Sequence, residues 1–348
     1  MLKIAKERLN ELYAKISETQ GLFIPVKKAG EVSYAVWGEG KEVSLETLKT
    51  VKSPKNMFFP QTENMMKFKT EGKNIEVIDV REALAEKIEK KPFVLFGVKA
   101  CDYKAIEVLD KVFLAEPVDT YYQMRRESTT IVTLACSKPE ESCFCKSFGI
   151  DATNPMGDVT TWLDNENLYW QANTEKGEAL TSLVKDLFVE GGESEVEAQK
   201  ATTKAVIDSL PYSNLDLGNF KPENLNELFN SKEWESLSEA CLGCGTCTFV
   251  CPTCQCFDIR DFKTNEGVLR YRCWDSCMYS DFTLMAHGNS RTTQMQRFRQ
   301  RFMHKLVYYP SQNDGLYSCV GCGRCVNKCP QHLHIVKVIK ELGGKEND

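Results

Sequence analysis

Two unbroken apolar runs stand out along the chain, Phe93–Val98 (FVLFGV) and Thr130–Ala135 (TIVTLA). Runs of this length suit strands covered on both faces, as in a parallel sheet. Between them Tyr103–Phe113 has helical spacing, with Ile106, Val108, Leu109 and Val112 on its apolar face. Strand, helix and strand predict a βαβ unit with a right-handed crossover. Upstream, Leu22–Val26 and Glu31–Trp37 flank the turn Lys27-Lys28-Ala29-Gly30 and read as a hairpin. Asn74–Val80 alternates as a strand should, and Met1–Leu12 reads as the start of an amphipathic helix through Leu2, Ile4, Ala5, Leu9 and Leu12. Thr181–Val189 and Glu195–Ser209 are expected helices separated by Gly191-Gly192.

Pro211, Asn219 and Pro222 punctuate a connecting stretch, followed by short expected helices at Glu223–Phe229 and Ser231–Ala240. Phe282–Ala286 and Thr293–Val307 complete the helical pattern. The expected architecture is an α/β domain over residues 1–235, followed by a mostly α-helical domain over residues 236–348.

Cysteine changes the picture. The chain has 348 residues and 16 cysteines. Cys241-x-x-Cys244-x-x-Cys247-x-x-x-Cys251-Pro252 recurs as Cys319-x-x-Cys322-x-x-Cys325-x-x-x-Cys329-Pro330. Three thiolates spaced by two residues wrap one [4Fe–4S] cube, and the Pro-flanked fourth ligates the partner cube. Zinc sites favour paired Cys or Cys/His sets without that fourth residue. The crossed pattern assigns Cys241, Cys244, Cys247 and Cys329 to one cluster, and Cys319, Cys322, Cys325 and Cys251 to the other. The second domain is therefore of two-cluster ferredoxin type. The copies begin 78 residues apart, which leaves room for helices between them.

A second constellation follows the two buried strands. Cys101 comes after the first and Cys136 after the second, with Cys143 and Cys145 on the next loop. Sites in open α/β sheets form beyond the carboxyl ends of strands. These four thiols are read as a third [4Fe–4S] cluster; zinc is the competing metal and buried apolar thiols the competing structural account. Cys254, Cys256, Cys273 and Cys277 are left over. They are either an extra metal site or buried thiols beside the electron path.

Charge is unevenly divided: residues 241–348 hold 14 basic and 9 acidic side chains, and the rest of the chain holds 30 and 40. Basic residues inside the cysteine-rich part suit compensation of anionic clusters, and no nucleic-acid-binding motif accompanies them. Arg297, Arg301 and Lys305, spaced by four, line one helical stripe beside Arg291 and Arg299. That stripe is charge compensation near a cluster, a docking face for an acidic partner, or a solvated face. His287, His304, His332 and His334 are scattered without a ligand partner. Gly38-Glu39-Gly40 lacks the third glycine and the strand-to-helix setting of a dinucleotide fingerprint, and no P-loop occurs. Flavin and NAD are therefore not expected on this chain. No apolar run approaches a membrane span, and the metal-ligand spacing of the cysteines suits a reducing cytoplasm.

The ordered set Gly97-Val98-Lys99-Ala100-Cys101-Asp102, Ala135-Cys136-Ser137, Cys143-Phe144-Cys145, Cys251-Pro252-Thr253-Cys254-Gln255-Cys256-Phe257-Asp258, Trp274-Asp275-Ser276-Cys277 and His287-Gly288-Asn289-Ser290-Arg291 resembles the iron–sulfur electron-transfer subunit family of anaerobic sulfite reductase. That family includes the β subunits of sulfhydrogenases and related iron–sulfur subunits of flavin oxidoreductase–heterodisulfide reductase systems. The resemblance implies an electron relay that links a catalytic redox partner to a flavin- and NAD(P)-binding subunit, in an anaerobic setting. It gives Cys273 no fixed place. The alternative from another class is a self-sufficient reductase holding its own flavin in the α/β domain.

Overall fold

Eight strands form the first sheet: β1 (Leu2–Ala5), β2 (Gly21–Lys28), β3 (Glu31–Val36), β6 (Phe93–Val98), β7 (Thr129–Leu134), β8 (Val159–Leu163), β9 (Asn167–Ala172) and β10 (Val189–Glu190). Two further strands, β4 (Thr62–Glu71) and β5 (Asn74–Asp79), join β11 (Phe257–Thr264) and β12 (Gly267–Trp274) in a second sheet. These elements come from a computed structural model describing residues 1–344.

The first sheet runs in the order β10-β1-β9-β8-β7-β6-β2-β3. Its centre is parallel, with Val94 of β6 opposite Leu22 of β2 and Thr130 of β7. Val94, Phe96, Val132 and Leu134 face a core shared with Leu12, Tyr13 and Ile16 of the helix Leu9–Thr19. Leu95, Val98 and Ile131 face the other way, against Ile106, Leu109 and Phe113 of the crossover helix Ala100–Phe113. Burial on both faces explains the unbroken apolar runs. Full burial of each such aliphatic or phenyl side chain contributes about 1.5–3 kcal/mol. At the end of β6 the register shifts between Phe96 and Val98, where Gly97 takes φ = 82°. A Cβ at Gly97 would lie 3.2 Å from Leu45 and 3.4 Å from Pro25, so glycine lets the chain bend there into the helix that carries Cys101.

The second sheet is antiparallel, in the order β11-β12-β4-β5. It corrects the expectation of a mostly α-helical cysteine-rich region, which is mixed. Phe257, Ile259, Arg260 and Phe262 are exposed on an edge strand, so no amphipathic stripe marks it. Its neighbour β12 pairs with β4, from the other end of the chain. Arg272 Nε donates to Glu63 Oε2 at 2.7 Å across that pairing, with both side chains buried.

Three other expectations change. Leu2–Ala5 is a strand paired with β9 and β10, and the helix begins at Leu9. Leu284–Met285 pairs with Gly288–Asn289 in a small hairpin, in place of a helix at Phe282–Ala286. The helix before β10 spans Glu175–Val184, capped by the Thr174 hydroxyl accepting from Gly177 N–H. The helix Gln294–Met303 continues as a π-helical turn, His304–Tyr308. Phe298, Phe302 and Leu306 from this stretch pack with Trp234, Val338 and Ile339. Among the described residues no helix is long and apolar enough to cross a membrane.

Candidate iron–sulfur centres

The first cysteine motif sits on the loop entering the short helix Thr246–Phe249. Gly243 and Gly245 take φ of 64° and 71°, which turns the backbone between the thiols. Cys241, Cys244 and Cys247 share one cavity with Cys329 of the second motif. Met278, Phe298, Leu333 and Arg301 complete its wall. Polar groups already point at sulfur: Leu333 N–H donates to Cys329 Sγ at 3.3 Å, and Gln294 Nε2 to Cys241 Sγ at 3.5 Å. Such bonds stabilise thiolate and help set a cluster's potential. Cys244 is the exposed member, and its bond to the Thr246 hydroxyl holds the thiol below its usual range.

The other set lies deeper. Burial raises the thiols of Cys319 and Cys322, the latter to about 12, and nearby Cys251 adds to both. The neighbouring Cys254 thiol, together with Lys305 and the Thr253 hydroxyl 3.2 Å from the Cys251 sulfur, holds Cys251 well below the thiol range despite burial. Cys251 thus faces the second motif, although it belongs in sequence to the first.

In the α/β part, Cys101 stands in the first turn of Ala100–Phe113, Cys136 lies two residues beyond β7, and Cys143 and Cys145 come from the following loop. All four line one cavity, walled by Leu48, Pro139, Ala152 and Ile207. Burial pushes Cys136 up to about 11, Cys145 up to about 12 and Cys101 well above the usual thiol range, so ligation here must expel protons. Gly321 and Cys322 form part of the same wall. Phe144 N–H donates to Gly321 O at 2.9 Å. A Cβ on Gly321 would come within 2.4 Å of the Phe144 carbonyl, and one on Gly323 within 2.4 Å of Ser142 O. The glycines of the second motif are what let the two cysteine loops touch.

A 4Fe-4S dicluster domain model matches residues 240–333. Across its whole length the chain is similar to sulfhydrogenase 2 subunit beta of Pyrococcus furiosus, with 32% identity over 347 residues and 98% of each chain covered. The chain belongs to the sulfhydrogenase beta-subunit family. No solved structure matches it. The dicluster domain implies two [4Fe–4S] clusters and single-electron transfer, and the cavity shared by Cys241, Cys244, Cys247 and Cys329 fits one of them. Cys101, Cys136, Cys143 and Cys145 lie outside the matched residues.

Like the dicluster motifs, the buried cations of this family member suit anionic groups. Arg301, Lys305 and Lys55 are all buried. Lys305 Nζ donates to Thr253 Oγ1 at 2.8 Å and Ser318 O at 3.0 Å, and Lys55 Nζ to Cys254 O at 2.8 Å while lying 4.0 Å from the Trp274 ring centre. Arg301 Nε has no partner. Among the described residues none of the three pairs with a carboxylate. An uncompensated buried charge costs several kcal/mol, so these cations call for the negative charge of thiolate-bound clusters. Arg301 and Lys305 were visible in the sequence as a stripe, without the direction it faces. Lys55 carried no signal, being one lysine among many. Asp102 and Arg324 were also missed as a pair: they bond at 2.6 and 2.7 Å between the Cys101 helix and the first residue of the short helix after Cys322.

The leftover cysteines divide. Cys254 is with Cys251, and Cys256 is with Cys277. Cys273 is not brought to them: it lies on β12, opposite Asp258, near Arg260 and Asp275.

Proposed function

We propose that the chain is the electron-transfer subunit of a cytoplasmic, anaerobic multi-subunit oxidoreductase. It works between a catalytic partner of hydrogenase, sulfite reductase or heterodisulfide reductase type and a flavin- and NAD(P)-binding subunit. Residues 1–235 form an α/β domain in which Cys101, Cys136, Cys143 and Cys145 hold a third [4Fe–4S] cluster, and residues 236–348 hold the other two. The observation that carries this reading is the cysteine-lined cavity that has Cys322 on its wall. Among the described residues no three His, Cys, Asp or Glu side chains gather tightly enough for a single metal ion. Four thiols on one cavity wall suit the four-cysteine ligation of a cube. When bound, cubes take up and release single electrons. Exposed Cys244 offers the dicluster end to one partner, and the α/β domain faces the other.

The isolated chain should not be bleached by NADH or NADPH under anaerobic conditions, yet should be reduced by dithionite or a reduced flavoprotein partner. Hydride donors deliver electrons in pairs, a flavin is the usual converter, and the chain carries no dinucleotide fingerprint. Rapid bleaching by the nicotinamide alone, in protein free of other subunits, would favour the self-sufficient reductase.

Crossed ligation gives a second test. Cys251→Ser should damage the paramagnetic signal of the cluster held by Cys319, Cys322 and Cys325, and spare that of Cys241, Cys244, Cys247 and Cys329. Loss confined to the latter would make the ligation local.

A further inference from the structure

Cys256 and Cys277 are brought together by the hairpin of β11 and β12. Its last strand pair is Phe257 with Trp274, and the register continues past the strands, with Asp275 N–H donating to Cys256 O at 2.9 Å. The next turn is pinned: Thr248 Oγ1 donates to the buried Ser276 hydroxyl at 2.8 Å, and Met278 N–H to the same oxygen at 3.2 Å. Cys277, two residues past Asp275 and one past the pinned Ser276, is thereby set beside Cys256, close enough that the two thiols shift each other's acidity in opposite directions. Neighbouring residues reach both cysteine sets of the dicluster domain. Met278 lines the cavity of Cys241, Cys244, Cys247 and Cys329, while Cys251 lies five residues before Cys256. Lys55, Lys305 and Arg301 surround the same segment.

We propose that Cys256 and Cys277 are a redox-active dithiol that stores an electron pair beside the two clusters. Opening the Cys256–Cys277 disulfide breaks one S–S bond, takes two electrons and two protons, and leaves two thiols. The two clusters that the dicluster domain would hold would supply the electrons, one from each, with protons from solvent; closing the bond would release the two electrons to the same clusters and the two protons to solvent. The inference rests on the cluster reading only for its electron source. It does not depend on a third cluster in the α/β domain.

The test uses the full-length holoprotein, purified anaerobically and poised either oxidised with thionine or reduced with dithionite. Each sample is quenched in acid with excess alkylating agent and mapped by mass spectrometry. A peptide linked through Cys256 and Cys277 is expected in the oxidised sample and absent from the reduced one. Free, alkylated thiols in both states would overturn the proposal, and so would a linked peptide that dithionite does not open. The Cys256→Ser, Cys277→Ser double variant should keep its iron and take up two fewer electrons per chain in a reductive titration. Loss of iron from that variant would make the pair cluster ligands and refute the dithiol. Loss of iron only from the α/β domain's cysteine variants would bear on the third cluster and leave the dithiol untouched.

Discussion

Serine at both Cys143 and Cys145 should lower the iron content of the anaerobically purified chain from about twelve atoms to about eight, since each cube holds four. The two thiols enter the α/β cavity from one short loop, held to the second motif by the bond from Phe144 N–H to Gly321 O. Removing both leaves Cys101 and Cys136, too few ligands for a cube. The paramagnetic signal of the cluster at Cys241, Cys244, Cys247 and Cys329 should survive, because neither residue lines that cavity. One effect should spread: magnetic coupling between the α/β centre and the Cys322 cluster should disappear with the double substitution. Wild-type protein with about eight irons, unchanged in the variant, would remove the third cluster. About sixteen irons would instead point to metal at Cys254, Cys256 and Cys277, and would count against the dithiol as well.

The α/β core was legible because β6 and β7 are buried on both faces, so their apolar runs carry their own signal. The helix between them was legible for the opposite reason: one apolar stripe against the sheet. Pairing of β4 with β12 was not, because Glu63 and Arg272 stand 209 residues apart and no local pattern records which distant strand covers an edge. Leu2–Ala5 is four residues long, too short to separate a period of two from one of 3.6. The grouping of Cys241, Cys244, Cys247 and Cys329 on one cavity was legible because the spacing of the repeated motif itself encodes geometry. The α/β set was readable only through the rule that sites gather beyond strand ends, which placed Cys101 and Cys136 together. Cys273 and Cys277 stand four apart, a spacing that in a helix would put both on one face. In the protein Cys273 belongs to a strand and Cys277 lies in the turn beyond it, so backbone type decided the matter.

Asp102→Ala should destabilise the holoprotein by about 3–5 kcal/mol, the cost of breaking one side of a buried ion pair. Asp102 is 2% exposed and Arg324 3% exposed, and the guanidinium meets both carboxylate oxygens, at 2.6 and 2.7 Å. Arg324 has a further bond, Nε to Thr50 O at 3.2 Å, which leaves its charge uncompensated once the carboxylate is gone. The pair is also a mechanical link. Asp102 follows Cys101 on the crossover helix, and Arg324 opens the helix after Cys322, so the bond fixes the α/β cavity against the second motif across 222 residues of chain. Replacing both residues with apolar ones of similar size, Asp102→Leu with Arg324→Met, should recover most of the loss, because no charge is then stranded. Anaerobic denaturant unfolding of the three proteins measures this directly. Equal destabilisation by the single and double variants would show that the space matters and the charge does not. A single variant within about 1 kcal/mol of the wild type would show that the negative charge of the Cys322 cluster suffices to hold Arg324.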